Sequence, residues 1–360
     1  MMTGRIQLKF PKKSILVTGG AGFIGSNFII YMLKKYPDYQ IVNLDDLTYA
    51  GNLENLAGIK NNRNYKFYKG NICNELLVEK IFQAHHISHV VNFAAESHVD
   101  KSIVDPGVFV KTNVLGTANL LSITKKFWSR ENGFKDDVKY LQISTDEVYG
   151  SLGNSGLFSE TAPLDPHSPY SASKAGADLL VKAYYDTFGF PINITRCSNN
   201  YGPYQFPEKL IPLVIYNAIH LQPIPVYGDG LNIRDWLYVD DHCTAIDLVL
   251  HFGRAGEVYN IGGNNERKNI QIVDRIIEYL HNHADRRIDR SLIRYVEDRK
   301  GHDRRYAIDA SKIKIELGWR PVTPFDVGIE KTIQWYLDHK TWIDSVVSGE
   351  YRSVMEDMLA

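Results

Sequence analysis

Apolar residues in the first 200 positions of this chain alternate between short continuous runs and helical spacing. Residues 14–18 form a β-branched run that predicts a buried strand. After a glycine-rich turn, apolar residues recur from Phe28 to Leu33 on one helix face, and residues 41–44 form a second run. The chain is therefore predicted to begin as strand, helix, strand.

The same alternation continues along the chain. Further strands are predicted at residues 66–68, 90–95, 140–144 and 192–196, with a helix from 112 to about 128. Strands that alternate with helices predict an α/β fold with a doubly wound parallel sheet of the Rossmann type. Beyond residue 200 the pattern breaks, because prolines punctuate residues 203–225 and short charged clusters follow. These later residues are expected to form a smaller C-terminal domain that covers the sheet edge.

Composition and charge narrow the function classes. The 360 residues carry a formal net charge of −1, which gives no electrostatic case for binding nucleic acid or a membrane surface. Cys73, Cys197 and Cys243 lack the spacing of a disulfide framework or a C-x-x-C motif, which favours a reducing compartment. No N-terminal signal-peptide pattern and no apolar run near ~18 residues is found, so a cytoplasmic location is expected.

A glycine motif follows the first predicted strand. Gly19, Gly22 and Gly25 have G-x-x-G-x-x-G spacing, in the strand–turn–helix context that a dinucleotide-binding loop requires. Asp45 ends the second strand 20 residues after Gly25, where a carboxylate accepts hydrogen bonds from ribose hydroxyls and repels a 2′-phosphate. Asp46 adds a second negative charge. NAD is therefore favoured over NADP.

Two short stretches carry the candidate chemistry. Thr145, Asp146 and Glu147 follow the fifth strand, and Tyr170 and Lys174 share a helix face four residues apart. A lysine ammonium beside a phenol is expected to lower the phenol's pKa, which suits removal of a hydroxyl proton during hydride loss. Each stretch alone is more often a solvated surface. Their order behind a dinucleotide motif favours oxidation coupled to elimination.

The neighbouring carboxylates add one structural expectation. Adjacent residues of an ideal strand point to opposite faces, so both side chains reach one substrate only if the chain leaves extended geometry at Asp146. In doubly wound sheets, ligands bind beyond the carboxyl ends of the strands. The glycine motif, Asp45, residues 94–97 and residues 145–147 all lie at such ends, so one crevice is predicted. His85, His86 and His89 lack acidic or cysteine companions at ligand spacing, and no metal site is expected.

Together these motifs resemble the extended branch of the short-chain dehydrogenase/reductase superfamily, and most closely its dTDP-glucose 4,6-dehydratase family. The resemblance covers residues 15 to about 351. The segments that carry it are T-G-G-A-G-F-I-G-S (18–26), D-D-L-T-Y-A-G-N (45–52), A-A-E-S-H-V-D (94–100), S-T-D-E-V-Y-G (144–150), S-P-Y-S-A-S-K (168–174), C-S-N-N-Y-G-P-Y (197–204), F-P-E-K-L-I-P (206–212), I-R-D-W-L-Y-V (233–239), residues 259–263 and G-H-D-R-R-Y-A-I-D (301–309). The Asp-Glu pair is the most specific of them.

The resemblance implies a closed redox cycle on dTDP-glucose that yields dTDP-4-keto-6-deoxy-glucose and water. Tyr170 is expected to be the base for the C4 hydroxyl and Lys174 its partner, while Thr145 holds the C4 oxygen. Glu147 is expected to remove the C5 proton, and Asp146 to protonate the departing C6 hydroxyl.

The resemblance also implies two binding sets and a domain division. The NAD set is Gly19, Gly22, Phe23, Ile24, Gly25, Asp45, Asp46, Leu47, Thr48, Asn71, Ile72, Phe93, Ala94, Ala95, Ser97, Thr112, Tyr170, Lys174 and Asn200. The nucleotide-sugar set is Ser97, Thr145, Asn199, Lys209, Leu210, Pro225, Val226, Tyr227, Arg234, Asn269, Asp298, Arg299 and His302. Residues 14–200, with a return near 232–262, are expected to bind NAD, and residues 201–231 and 263–351 to bind substrate. A homodimer is expected, with helices near 112–128 and 170–188 forming a four-helix bundle.

The chain departs from the family pattern at two positions. Asn71 stands where an Asp is usual, and its carbonyl is still able to accept from the adenine amino group, so weaker NAD binding at most is expected. Asp46 replaces a residue that is often basic, which favours NAD further.

Two other functions are weighed against the dehydratase. A nucleotide-sugar 4-epimerase shares the fold and the Tyr-Lys couple but needs no elimination, and the pair Asp146-Glu147 argues against it. A catalytically silent NAD-binding scaffold is the alternative from another class. The intact set of Thr145, Tyr170 and Lys174 argues against that function.

Overall fold

The computed structural model describes residues 13–350. Its strands are β1 (Ser14–Thr18), β2 (Gln40–Asp45), β3 (Tyr65–Lys69), β4 (His89–Asn92), β5 (Ser129–Arg130), β6 (Gly133–Phe134), β7 (Lys139–Thr145), β8 (Ile192–Cys197), β9 (Asn199–Tyr201), β10 (Ile224–Tyr227), β11 (Ile233–Tyr238), β12 (Val258–Ile261), β13 (Glu266–Lys268) and β14 (Ile293–Val296).

The α-helices are α1 (Phe23–Lys35), α2 (Glu75–His85), α3 (Val99–Val104), α4 (Pro106–Phe109), α5 (Thr117–Trp128), α6 (Pro169–Phe188), α7 (Leu210–Ile219), α8 (Val239–Phe252), α9 (Asn269–His283), α10 (Ser311–Leu317), α11 (Phe325–Asp338) and α12 (Lys340–Ser348). Short 3₁₀ helices span Leu53–Ile59, Asp146–Tyr149 and Arg290–Leu292, and a π-helical turn spans Val110–Gly116. Among residues 13–350, no helix combines the length and apolarity needed to cross a membrane.

A seven-stranded sheet forms the centre of the molecule. Its strand order is β12-β8-β7-β4-β1-β2-β3, and every neighbouring pair is parallel. Strand order reverses between β1 and β4, which places a crevice at the carboxyl ends there. The predicted doubly wound α/β fold is confirmed.

The central strands are apolar because helices cover both faces of the sheet. In β1, Ile15 and Val17 point to one buried cluster of side chains and Leu16 to another, and all three are fully buried. A strand buried on both faces has no polar side to alternate with, which explains its continuous apolar run. Side chains of α1 and α8 pack on one face, and those of α2 and α5 on the other.

Two predicted boundaries differ from the observed ones. Strand β4 ends at Asn92 rather than continuing to Ala95, and the chain is irregular from there to His98. The helical segment predicted from residue 112 already begins at Pro106, where proline's missing N–H and fixed φ suit a first helical position. A π-helical turn then joins α4 to α5 and breaks the spacing by which the start was predicted.

Residues after β8 build smaller sheets over the carboxyl edge of the large one. Strands β13, β11 and β9 form a three-stranded sheet, and β10 pairs with β14 in parallel. Within the segment 232–262, β11 belongs to the three-stranded sheet, whereas β12 adds to the edge of the large sheet beside β8. The chain thus crosses between the two layers within this segment.

Candidate active site

A cavity of about 310 Å³ opens at the carboxyl ends of the parallel strands. The residues of the predicted NAD set line it, with one exception: Gly19, Gly22, Phe23, Ile24, Gly25, Asp45, Asp46, Thr48, Asn71, Ile72, Phe93, Ala94, Ala95, Ser97, Thr112, Tyr170, Lys174 and Asn200. Leu47 is the exception. Its backbone has φ 53°, its N–H donates to Asp45, and its side chain packs against the apolar core.

The glycine loop is shaped to leave room for a phosphate group. Gly19 has φ +69°, and a Cβ there would stand 2.6 Å from the backbone nitrogen of Ala94. A Cβ on Gly25 would collide with the carbonyl oxygen of Gly19. Helix α1 starts at Phe23 with no side-chain cap from Gly22, so the helix start presents uncapped N–H groups to the cavity. This cradle fits the pyrophosphate of a dinucleotide.

Asp45 also supports this loop. Its Oδ2 accepts a hydrogen bond of 2.9 Å from the N–H of Ala21, and its Oδ1 accepts one of 2.8 Å from Leu47. Burial raises the pKa of the Asp45 carboxyl, while these two backbone N–H groups oppose the rise. Each carboxylate oxygen keeps a further lone pair for a ribose hydroxyl.

The chain leaves extended geometry directly after Thr145, as predicted. Strand β7 ends at Thr145, and a 3₁₀ helix begins at Asp146. The Thr145 hydroxyl accepts a hydrogen bond of 3.3 Å from the N–H of Glu147 and lies 3.4 Å from Oδ1 of Asp146. The turn therefore brings both carboxyl groups to the same cavity.

The pKa values of both carboxyl groups are raised above their usual values. The pKa of Asp146, which is 2% exposed, is raised well above its usual value by burial and by the negative charges of Glu147 and Asp235. Burial also raises the pKa of Glu147. Three cations oppose that rise, namely Lys209, Arg234 and Arg299. Burial thus favours the neutral form of Asp146, while three cations favour the ionised form of Glu147. Two carboxyl groups in such different surroundings suit an acid–base pair.

Tyr170 and Lys174 lie on the buried face of α6. The helix starts with a capping box in which the Ser168 hydroxyl accepts from the N–H of Ser171, and proline occupies the first turn. Lys174 donates a hydrogen bond of 2.7 Å to the carbonyl oxygen of Ile143. Its ammonium is therefore tied to strand β7.

The predicted lowering of the phenol's pKa by Lys174 stays a prediction, because burial dominates the pKa of Tyr170 in the chain by itself. Burial and the negative charge of Glu147 raise the pKa of Tyr170 well above its usual value, and the Thr145 hydroxyl opposes the rise through a hydrogen bond. Burial also lowers the pKa of Lys174. Desolvation therefore acts on both groups, an effect that helical spacing does not reveal.

Apart from Leu210, the predicted nucleotide-sugar residues fall into two groups. Ser97, Thr145, Asn199 and Lys209 line the cavity, and Lys209 donates a hydrogen bond of 2.9 Å to the carbonyl oxygen of Ser97. Leu210 starts α7 and packs against the core.

The second group stands together outside the cavity lining. Pro225, Val226 and Tyr227 lie on β10, and the Arg299 guanidinium lies 4.8 Å from the centre of the Tyr227 ring. Asp298 and His302 form a 2.6 Å contact, and Arg234 lies on β11. Asn269 starts α9, and its side-chain oxygen is buried without a hydrogen-bond partner.

Several cavity residues were missed by the sequence prediction. Gln205, Phe206 and Glu208 line the cavity, although each lies within or beside a motif that carries the resemblance. Glu208 accepts a 3.1 Å hydrogen bond from Tyr49 and stands 3.5 Å from His98. Glu208 directly precedes Lys209, which the sequence analysis had assigned to the site, and this position was the signal that could have identified it.

Asn200 is fixed by a residue that the sequence did not single out. The ring nitrogen Nδ1 of His242 lies 2.8 Å from the Asn200 side-chain oxygen, and burial lowers the pKa of His242 to about 3. A neutral imidazole therefore orients this asparagine at the cavity wall.

Comparison with known proteins identifies the family. The family model for GDP-mannose 4,6 dehydratase matches residues 16–332. A dTDP-glucose 4,6-dehydratase of Xanthomonas campestris is 54% identical over 341 residues, covering 94% of this chain and 97% of the relative. A dTDP-glucose 4,6-dehydratase of Bacillus anthracis solved with NAD is 51% identical with a TM-score of 0.84, covering 93% of this chain and 99% of that one.

A second solved enzyme agrees. The dTDP-glucose 4,6-dehydratase of Streptomyces venezuelae, solved with NAD and TYD bound, is 45% identical with a TM-score of 0.86, covering 92% of this chain and 99% of that one. The chain therefore belongs to the dTDP-glucose 4,6-dehydratase family of the extended short-chain dehydrogenases/reductases.

Proposed function

We propose that this protein converts dTDP-glucose to dTDP-4-keto-6-deoxy-glucose and water, as an NAD-dependent hydro-lyase. One observation carries the proposal: the turn at Thr145 presents the carboxyl groups of Asp146 and Glu147 to the cavity that also holds Tyr170. A 4-epimerase needs only the base that accompanies hydride transfer, the role assigned here to Tyr170. An additional acid–base pair is what elimination of water requires.

NAD fits the cavity of this chain. The glycine cradle at Gly19 and Gly25 accepts a pyrophosphate, and the carboxylate of Asp45 faces the same cavity. When bound, NAD supplies hydride acceptance from C4 and hydride return at C6. The negative charges of Asp45 and Asp46 favour the unmodified adenosine ribose of NAD over the 2′-phosphorylated ribose of NADP.

Oxidation at C4 is assigned to the α6 residues and Thr145. Tyr170 removes the C4 hydroxyl proton, and the Thr145 hydroxyl hydrogen-bonds the C4 oxygen. Lys174 contributes a fixed positive charge from its position on Ile143. Since burial raises the phenol's pKa in the chain alone, cationic groups in the loaded site are needed to bring it toward the working range.

Elimination is assigned to the neighbouring carboxyl groups. The 4-keto group acidifies the C5 proton, which Glu147 removes. Asp146, kept neutral by burial, donates a proton to the C6 hydroxyl as it leaves. Glu147 then returns its proton to C5 as C6 is reduced. The different surroundings of the two groups support this division of roles.

The nucleotide diphosphate is assigned to the C-terminal layer. Lys209, Arg234 and Arg299 act electrostatically on Glu147 and so lie close to the acid–base pair. Guanidinium groups suit phosphate oxygens. We assign NAD to residues 14–200 and 232–262, and substrate to residues 201–231 and 263–351, of which Tyr351 lies outside the described residues.

Deuterium at C4 of dTDP-glucose tests the function without added reductant. The proposed enzyme moves the label to the C6 methyl group and gives a product lighter by one water. The transfer is intramolecular, because the cofactor stays bound between the two hydride steps. Recovery of dTDP-galactose at unchanged mass, or a dehydrated product unlabelled at C6, would contradict the proposal.

We also propose that the chain forms a homodimer through α3 to α6. Val104 and Leu179 are 86% and 61% exposed, and Val108, Val110 and Leu115 are also exposed along the same helical segments. Such a group of exposed apolar side chains is typical of an interaction surface. Light scattering tests this proposal: Val104→Glu with Leu179→Glu should halve the mass, whereas Leu76→Glu, an exposed leucine on α2, should not.

A cytoplasmic location completes the proposal. Cys73, Cys197 and Cys243 are free thiols, which favours a reducing compartment. Fractionation of the native host should recover the protein with cytoplasmic markers, and recovery with periplasmic or secreted markers would contradict it.

A further inference from the structure

Asp303 is a buried carboxylate that the catalytic assignment leaves unused. It is 7% exposed, and its two oxygens have different partners. Oδ2 accepts a hydrogen bond of 2.5 Å from the Tyr306 hydroxyl, and Oδ1 lies 2.6 Å from Nδ1 of His167. The side chain thus joins two segments that are far apart in sequence.

The backbone of Asp303 holds a third residue. Its carbonyl oxygen accepts a hydrogen bond of 2.9 Å from Nη2 of Arg234 and one of 3.2 Å from Asn232. The Arg234 guanidinium lies 4.2 Å from the centre of the Tyr306 ring. Arg234 is therefore held between the carbonyl and the ring that Asp303 fixes.

These contacts reach the acid–base pair. Arg234 is one of the cations that oppose the raised pKa of Glu147 and of Asp146. The pKa of Tyr306 is raised by burial and then by the negative charge of Glu147.

His167 supplies the contact from the other half of the chain. It stands directly before Ser168, which caps α6, and so shares a short loop with Tyr170. Its side chain is 42% exposed, and its Nε2 lies 3.6 Å from Oδ2 of Asp165. The hydrogen bond that His167 donates to Asp303 raises the pKa of His167, with the charges of Asp303 and Asp165 adding to the rise.

We propose that Asp303 is a positioning residue whose ion pair with His167 fixes Arg234 and Tyr306 for the nucleotide diphosphate. The inference rests on the proposed function, which assigns Arg234 to that diphosphate. It adds that the affinity for the diphosphate depends on the protonation state of His167, which lies in the loop before α6.

The sign of the pH effect follows from the ion pair. His167 is charged below its raised pKa, so the pair with Asp303 is strongest there. As pH rises through that pKa, the charge is lost while the neutral ring retains only a hydrogen bond. The terminal phosphate of dTDP also titrates near ~6, so the effect is measured as the ratio of wild-type affinity to that of a variant without this imidazole. That ratio should be largest below the pKa of His167 and should shrink above it.

Calorimetric titration of the NAD-loaded protein with dTDP across pH 5.5–9 tests this inference without turnover. In His167→Phe the affinity should fall about five- to tenfold at low pH, and this difference from wild type should shrink as pH rises through the pKa of His167. His167→Gln should bind with intermediate affinity, and its difference from wild type should shrink in the same way. Tyr306→Phe should lose affinity and keep the pH dependence of wild type, because the His167–Asp303 pair remains.

Matched controls separate this role from general damage. His220→Gln removes another histidine paired with an aspartate, Asp344, and should change neither affinity nor its pH dependence. Affinity for NAD should be unchanged in every variant. An unaltered pH profile in His167→Phe, or equal losses of dTDP and NAD affinity, would overturn the inference.

Failure of the proposed function shows itself separately. A wild-type protein that makes no dehydrated product from dTDP-glucose would contradict the dehydratase assignment, whatever the calorimetry shows. If the protein dehydrates dTDP-glucose normally but substitution of His167 leaves its dTDP affinity unchanged, only the positioning role is contradicted.

Discussion

The side-chain amide of Asn71 donates a hydrogen bond of 2.8 Å to Oδ2 of Asp46. The Asn71 carbonyl oxygen accepts another, also 2.8 Å, from the N–H of Cys73. These are the two positions that the resemblance marks as departures from the family pattern. An amide donates where a carboxylate only accepts, so Asn71 stabilises the extra carboxylate of Asp46 where an aspartate would repel it.

Asp46→Ala should relax cofactor selectivity. A 2′-phosphate near this carboxylate meets a repulsion of about 1–2 kcal/mol in water-like surroundings, so removing the charge should improve NADP binding about tenfold. NAD affinity should change little while Asp45 remains. Titration of both dinucleotides into stripped enzyme measures this, and adding 0.5 M salt should reduce the difference between wild type and variant.

Asp45→Ala is the companion test on the ribose itself. NAD affinity should fall, and it should fall further in the double variant with Asp46→Ala. Because Asp45 also accepts from the N–H groups of Ala21 and Leu47, thermal unfolding must be followed in parallel. Unchanged NAD affinity in the double variant would refute the ribose assignment.

Tyr170→Phe should stop oxidation at C4 and leave substrate binding nearly intact. The phenolate acts only as the C4 proton departs, so it stabilises the transition state rather than the bound substrate. Tyr184→Phe, on the same helix but away from the cavity lining, is the matched control and should turn over normally. Near-normal turnover in Tyr170→Phe, measured by product formation, would exclude the role.

Glu147→Gln should separate oxidation from elimination. The C4 proton still has Tyr170 as its acceptor, but no strong base is left for the C5 proton. Reduced-cofactor absorbance should appear on mixing with substrate, while water loss falls by ~10²–10⁴-fold. Glu79 lies on α2 and pairs with Lys126 on α5, so Glu79→Gln should behave as wild type. Fast elimination in Glu147→Gln would assign the C5 base to another group.

The sequence predicted the elements with strong periodicity and the residues at strand ends. The strand at 14–18 and the glycine loop followed from local patterns, because a buried parallel strand and a tight phosphate turn each restrict residue type. The turn at Asp146 followed from the geometry of two neighbouring carboxylates. These constraints are local, and the sequence shows them directly.

Long-range contacts account for what the sequence did not show. Lys174 donates to the carbonyl of Ile143, 31 residues away, and burial raises the pKa of Tyr170. Glu208 enters the cavity through contacts with Tyr49 and His98. Each depends on how distant segments pack, which helical spacing and composition do not encode.

Asp146→Asn should stabilise the fold, and more so at higher pH. The folded-state pKa of Asp146 is raised by burial, so between the unfolded value near ~3.9 and the raised value the folded protein binds more protons than the unfolded chain. Its contribution to the free energy of unfolding is present at low pH and lost as pH rises through that window. An asparagine does not titrate, so the loss should disappear.

Thermal unfolding of wild type and Asp146→Asn at pH 5 and pH 8 measures this difference. The variant should gain roughly 2 °C or more at pH 8 and less at pH 5. Asp229→Asn is the control of opposite sign: pairing with Arg304 lowers the pKa of Asp229 to about 2, so that carboxylate stabilises at neutral pH. Its removal should lower Tm slightly or leave it unchanged. A pH-independent gain in Asp146→Asn would show that the carboxyl is not held neutral by burial, and would remove the basis for its role as the acid that protonates the C6 hydroxyl.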